Sequence, residues 1–338
     1  MSKQNKLPIT VVTGFLGSGK TTLLQQVLRQ PGMQDTAVLV NEFGKVGLDH
    51  HLLQVMEEST ILLGGGCVCC STRDDLVEGL SQLLNRVERG ERASIRKVVI
   101  ETTGLADPAP IVFTVLSHPV LQHHFYIENV IVTVDAVNGL FHLHNQPESV
   151  KQVLVADKLI ITKTDLAKAN EVEQLVQELQ AINPSSEVHT AVYGAADAAI
   201  LFTPAAASGR KSERMVAASM ASGAHTQDVS SVSITFEKPL DWTAFGLWLS
   251  MLLHAKGEDI MRVKGLLDIG GPGPVVLNGV QHIIHPPDHL EEWPTEERIS
   301  SLVFIMRRVD PQDILASLEA FQQTFDVEHN LPRMEVLL

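Results

Sequence analysis

A chain of 338 residues, 44% hydrophobic and 20% charged, can bury a sizeable core and is long enough for two domains. Forty acidic against 26 basic residues leave a formal charge of −14, so no basic surface stands out to neutralise a phosphate backbone, and nucleic acid is not expected as a partner. The longest apolar runs fall far short of the roughly 20 residues that cross a bilayer, and three cysteines crowded together cannot staple distant parts of a secreted fold, so neither a membrane nor a disulfide framework is expected.

The N-terminal MSKQNKLPITVV leads into a glycine motif rather than a small-residue cleavage site, and the protein is read as cytoplasmic. From Leu7 to about Val192, short β-branched runs alternate with segments of helical period. Strands are predicted at Ile9–Val12, Ala37–Val40, Ile61–Leu63, Val98–Ile100, Val130–Val134, Leu159–Thr162 and Glu187–Ala191, and helices at Thr21–Arg29, Thr72–Arg89 and Val172–Ile182. Several strands are apolar nearly throughout, as strands covered on both faces are. This is the pattern of an α/β doubly wound, mainly parallel sheet, here of the P-loop type and assigned to residues 1–193.

Residues 194–228 are rich in Ala, Ser and Gly with little apolar period, and are expected to form a linker or mobile loop. Beyond them, Val229–Phe236 alternates like a strand and Asp241–His254 reads as a helix. Ile260–Ile269, Val275–Asn278, Val280–His285 and Leu302–Arg308 read as strands, and Pro311–Phe325 as a closing helix. Residues 229–338 are therefore expected to fold as a small α+β domain.

The first strand runs directly into Gly14-Phe15-Leu16-Gly17-Ser18-Gly19-Lys20-Thr21, followed by helical Thr22-Leu23-Leu24. Glycines at Gly14, Gly17 and Gly19 let successive N–H groups, with those of Ser18 and Thr22, face an anion at a helix N-terminus. Lys20 would reach the β- and γ-phosphates and the Thr21 hydroxyl would ligate Mg²⁺. A second acidic element is expected at the tip of the strand before Glu101-Thr102-Thr103-Gly104. Glu101 would hold the Mg²⁺ hydration shell or polarise water, and the Gly104 amide would touch a γ-phosphate.

Base choice is expected from Thr162-Lys163-Thr164-Asp165 at a third strand end, which is similar to the Asn-Lys-x-Asp element of GTP-binding proteins. Asp165 would accept from the guanine N1–H and 2-amino groups, the Lys163 stem would cover the ring, and Thr162 cannot present the amide an Asn would. Asn41-Glu42-Phe43-Gly44 lies where a nucleotide-sensing loop would sit. Glu42 joins Lys20 and Glu101 as a catalytic candidate, and Asp49 is a further Mg²⁺ or water contact.

All three cysteines fall in Cys67-Val68-Cys69-Cys70, after three glycines and before a helix that Ser71 would cap with Asp74. Cys67 and Cys69 project to one side of an extended segment, and the nearby helix dipole favours thiolate. Such a set suits zinc or another soft-tolerant divalent ion with one exchangeable position, for which Glu42, His50, His51, water or a partner's thiol are candidates. Small residues in a tight turn, or a redox dithiol, are the alternatives. The pairs His123-His124, His142-x-His144 and His282-x-x-His285 read as ordinary surface or core histidines.

Taken together, TGFLGSGKTTLL, NEFG, GGGCVCC, ETTGLADPAP, VDAV and ITKTD, in this order, resemble the CobW-type GTPases, zinc chaperones related to the nickel-insertion GTPases of urease and hydrogenase. MRVKGLLDI and LNGVQHIIHP resemble that family's small C-terminal domain. The resemblance implies a GTP hydrolase that binds GTP and Mg²⁺, carries Zn²⁺ (or Co²⁺ or Ni²⁺) on Cys67, Cys69 and Cys70, and delivers it to client apo-metalloproteins. Lys45 stands where many relatives carry an acidic residue, which leaves the ion's identity open. No arginine finger is evident, and a homodimer or a client could supply the missing charge. A GTPase serving cobalamin synthesis or another metal centre, and a metal-independent P-loop NTPase, remain alternatives.

Overall fold

Residues 6–40, 60–62, 71–89, 95–205, 229–294, 298–324 and 333–337 are described by the structure, a computed structural model. The chain forms two compact units, Met1–Leu175 with Glu187–Ala205, and Val176–Ser186 with Ala206–Leu338.

In the first unit seven strands build one sheet: β1 (Leu7–Gly14), β2 (Thr36–Val40), β3 (Thr60–Leu62), β4 (Lys97–Glu101), β5 (Phe125–Asp135), β6 (Lys158–Thr162) and β7 (Glu187–Ala191). Their order is β3-β2-β4-β1-β5-β6-β7, and every neighbouring pair is parallel. Parallel strands need crossovers, and helices supply them. These are α1 (Lys20–Leu28), α2 (Ser71–Glu88), α3 (Ala109–Ser117), α4 (Leu121–His124), α5 (Gly139–Asn145), α6 (Pro147–Val155) and α7 (Ala169–Ile182), of which the residues up to Leu175 belong to this unit. Helix α1 places Leu23, Leu24 and Val27 in one core with Val12, Val38 and Val99 of the sheet. Each such side chain contributes about 1.5–3 kcal/mol by leaving water. No helix among the described residues is long and apolar enough to cross a membrane.

Residues 194–205, expected as the start of a linker, are packed on the sheet. Residues 194–205 carry a further helix, α8 (Ala198–Phe202), whose Ala198 and Leu201 are buried in the same core as α1. Asp197 caps it by accepting from the Ala199 amide at 2.9 Å. Its far end is pinned by polar groups buried in the sheet. Lys158 donates to the carbonyls of Ile200 and Thr203, and Asn129 to those of Leu201 and Thr203. Residues 206–228 of that expected linker lie outside the described residues.

The second unit is antiparallel. Strands β8 (Val229–Phe236), β9 (Ile260–Leu267), β10 (Val275–Val280), β11 (Ile283–Ile284), β13 (Ser300–Arg307) and β14 (Arg333–Val336) follow the order β11-β10-β9-β13-β8-β14, with β12 (Asp288–His289) paired to β10. Helices α9 (Trp242–Lys256) and α10 (Pro311–Thr324) bury Phe245, Trp248, Leu318 and Phe321 against Val232, Ile234 and Phe304. Asp241 starts α9 by accepting from the Thr243 and Ala244 amides. The single strand expected over Val280–His285 is instead the corner of a hairpin. Val280 pairs with Ile283, and Gln281 takes φ 53° to make the turn.

Candidate nucleotide-binding site

Because the seven strands are parallel, their C-terminal ends share one edge of the sheet. β2, β3 and β4 lie on one side of β1 and β5, β6 and β7 on the other, so the tip of β1 is the topological switch point, the position where open α/β sheets bind ligands.

β1 passes through Gly14 to Gly19 into α1. Gly14 has φ 141°, and a Cβ there would stand 2.4 Å from the Thr133 carbonyl oxygen. Only glycine fits. Gly17 and Gly19 also take positive φ, 73° and 87°, and Gly19 is the residue from which α1 starts. The loop is braced from beneath by hydroxyls. Ser18 Oγ and Thr133 Oγ1 are 2.7 Å apart, Thr102 Oγ1 donates to Thr13 Oγ1 at 2.7 Å, and the Thr102 amide donates to the Val12 carbonyl. Thr13, Thr102 and Thr133 are all buried; Thr13 and Thr133 look like ordinary strand formers in the sequence, and Thr102 stands in the Glu101-Thr102-Thr103-Gly104 motif with no mark of its bracing role.

Lys20 is buried, and its Nζ donates to the Gly14 and Phe15 carbonyls at 2.8 and 3.2 Å, which sets the ammonium within the loop. Burial pulls its pKa below the ordinary lysine value, while the Glu101 carboxylate pulls it back up. The Thr21 hydroxyl donates to Glu101 Oε1 at 2.5 Å. Register explains the meeting, since Glu101 at the end of β4 pairs with Val12 of β1. A hydroxyl and a carboxylate together are hard oxygen donors, the set that suits Mg²⁺.

Gly104 approaches this loop from the other side. A Cβ on it would lie 2.6 Å from Leu16 Cδ2 and 2.7 Å from the Leu16 nitrogen. Gln152, fully buried on α6, holds the turn by donating to the carbonyls of Gly104 and Ala106. Phe15 rests on the half-buried His142 ring, 4.5 Å between centroids, whereas His144 is exposed.

At the tip of β6, Thr162 Oγ1 donates to the Ser18 carbonyl at 2.8 Å. The residue that departs from Asn thus ties the base element to the phosphate loop. Lys163 takes φ 55°, and its Nζ donates to Asp135 Oδ2 at 2.7 Å. Asp135 is buried. Burial alone would raise its pKa, but hydrogen bonds from the Lys163 and Asn138 side chains and the Val137 amide hold the carboxyl below the ordinary aspartate value. Asp165 is exposed on the same loop, and Thr22 is exposed on α1. Asp135 itself was quoted in the sequence only as part of VDAV. A strand-end Asp followed three residues later by Asn is the signal that could have marked it.

Lys20, Thr21, Glu101, Gly104 and Thr162 thus share one strand edge. Glu42, Asp49, Cys67, Cys69 and Cys70, with Lys45, His50 and His51, lie outside the described residues. Among the described residues no three His, Cys, Asp or Glu side chains gather as a metal site. The helix after the cysteines begins at Ser71, the residue expected as its cap, and Asp74 lies in its first turn.

Residues 8–190 match the family described as the CobW/HypB/UreG nucleotide-binding domain, and residues 229–322 the cobalamin synthesis protein cobW C-terminal domain. The chain is 32% identical over 324 residues to the zinc chaperone YjiA of Escherichia coli, covering 94% of this chain and all of that one. It is 26% identical over 305 residues to the zinc chaperone CobW of a Sinorhizobium species, covering 80% and 84%. The crystal structure of Zn(II)-bound YjiA GTPase from E. coli superposes with a TM-score of 0.69 at 30% identity, over 94% of this chain and 99% of that one. The chain belongs to the CobW/HypB/UreG family of P-loop GTPases.

Proposed function

We propose that this protein is a GTP-hydrolysing metallochaperone that carries zinc on Cys67, Cys69 and Cys70 and passes it to client apo-metalloproteins in a GTP-dependent step. The observation that carries the reading is the junction at Thr21 and Glu101, where the phosphate loop and a metal-suited acidic residue meet at 2.5 Å. Relatives named zinc chaperones that match along most of the chain support the cargo. β3 ends at Leu62, at the same C-terminal edge of the sheet as the phosphate loop, and Cys67 follows it in the sequence.

In this reading the amides of Gly14 to Thr22 hold the phosphates and Lys20 neutralises the β- and γ-oxygens. Thr21 and Glu101 hold Mg²⁺, which when bound neutralises charge developing on the γ-phosphoryl group. Gly104, braced by Gln152, senses the γ-phosphate through its amide. Thr162 to Asp165 read the base, with Lys163 steered by Asp135. Glu42 and Asp49 belong to the segment that the nucleotide orders together with the cysteine loop, and hydrolysis then changes the coordination of the zinc in favour of handover.

Zinc uptake by the full chain, counted after dialysis with GTP or GDP, tests this. One zinc per chain, lost when Cys67, Cys69 and Cys70 are changed to Ser, is the expected result. Equal zinc content in the triple variant would contradict it.

A further inference from the structure

We infer that the ring of Tyr193 is the second wall of the base pocket, stacking on the purine face opposite the Lys163 stem. The inference rests on the nucleotide reading above and names a residue that the motifs do not. Ala191, the last residue of β7, pairs with Thr162, the last of β6, so the loop after β7 leaves the sheet beside Thr162-Lys163-Thr164-Asp165. That loop is a tight turn. Val192 and Ala195 form an antiparallel bridge, and the two residues between them, Tyr193 and Gly194, take φ 49° and 73°. A two-residue turn with both central φ positive takes Asn, Asp or Gly at its first position, because a bulky side chain is strained there.

Tyrosine occupies that position with 75% of its surface exposed. Among the described residues no hydrogen bond or ring contact engages it. Strain with no hydrogen bond or ring contact among the described residues to offset it points to a contact outside the chain.

The turn is also rigidly placed against the phosphate loop. A Cβ on Gly194 would lie 2.8 Å from the Thr22 carbonyl oxygen, so the turn packs on the first turn of α1. Gln30, just past the end of α1, clamps the following segment by donating to the Ala196 carbonyl and accepting from the Ala198 amide. The turn's position is therefore fixed by the helix that starts at the phosphates, and Thr162 ties the neighbouring base loop to Ser18. An aromatic ring held at that edge offers a π face to a base, a contact tolerant of base identity and sensitive to loss of the ring.

The test compares the full-length wild type with Tyr193→Asn, which suits the turn and lacks the ring, and Tyr193→Phe, which keeps the ring. Calorimetric titration with GTP, ATP and inorganic tripolyphosphate, in the presence of Mg²⁺, is the measurement. Tyr193→Asn is expected to weaken GTP and residual ATP binding alike, roughly tenfold, with tripolyphosphate unaffected, while Tyr193→Phe restores the affinity. The variant should raise the GTP KM by more than it lowers kcat. Unchanged GTP affinity in Tyr193→Asn, or a parallel loss of tripolyphosphate affinity, would overturn the stacking role. A wild type that holds ATP as tightly as GTP would instead remove the guanine assignment at Asp165 and leave the Tyr193 effect in place.

Discussion

The Thr21 hydroxyl donates to the Glu101 carboxylate at 2.5 Å, joining the first residues of α1 to the end of β4. Two strands paired in register thereby bring a hydroxyl and a carboxylate to the tip of the phosphate loop. Changing Thr21 to Ala or Glu101 to Gln is expected to lower kcat/KM for GTP by roughly 100- to 1,000-fold, the scale of losing one preorganised charge-stabilising group. Titration of activity with Mg²⁺ checks the cause. Both variants should need more Mg²⁺ for half-maximal activity while GDP binding without Mg²⁺ changes little.

Lys20 supplies a pH signature. Burial holds its pKa below 10.5 and Glu101 opposes that shift. In the free enzyme the cation needed for phosphate is present below the folded pKa and lost as pH rises through it. The expected profile of kcat/KM, which reports free-enzyme groups, therefore falls on the alkaline side before the ordinary lysine value. Glu101→Gln removes the carboxylate that supports the charge, so the residual activity of that variant should fall at a lower pH than the wild type's.

Asp135 and Lys163 form a polar pair behind the base loop, 2.7 Å apart with the carboxylate buried. Asp135→Asn keeps the shape and removes the charge. About 1.5 kcal/mol of stability should be lost, the lower end for bonds to charged groups because Lys163 is partly exposed. Since the folded carboxyl titrates below its unfolded value of about 3.8, the stabilisation it gives is complete above that value and disappears as pH falls through the folded one. Denaturant titrations at neutral pH and at pH 3 check the sign, with the wild-type advantage over the variant shrinking at the lower pH. Discrimination of GTP from ATP should also narrow as Lys163 loses its anchor.

Gly104→Ala would drive a methyl group into Leu16, whose backbone nitrogen cannot retreat without moving the phosphate loop. The expected cost is about 1–3 kcal/mol of stability. GTP affinity should fall more than GDP affinity if the Gly104 amide meets the γ-phosphate, as proposed. Equal losses for the two nucleotides would show that Gly104 does not sense that phosphate.

The sheet and its order of motifs were legible because parallel strands buried on both faces write themselves as unbroken β-branched runs, as Val98–Ile100 and Leu159–Ile161 do. The phosphate loop was legible because its chemistry needs glycines and one lysine at fixed spacing. Helices α3 to α6 were not. Ala109–Ser117 is apolar nearly all round and shows no stripe, and α4, α5 and α6 span only four to nine residues. Residues 194–205 read as linker in the sequence because their anchors, Gln30, Asn129 and Lys158, lie far away in it. The same distance hid Gln152 and Asp135, whose roles come from which strand ends and helices the topology brings together.

Nucleotide and thiolate-held zinc are proposed to sense each other, and linkage requires the effect to be mutual. Calorimetric titration of a non-hydrolysable GTP analogue into zinc-free and zinc-loaded full-length protein measures it directly. A difference in affinity of about fivefold or more, abolished when Cys67, Cys69 and Cys70 are replaced by Ser, is the expected result. Identical affinities with and without zinc would contradict the account.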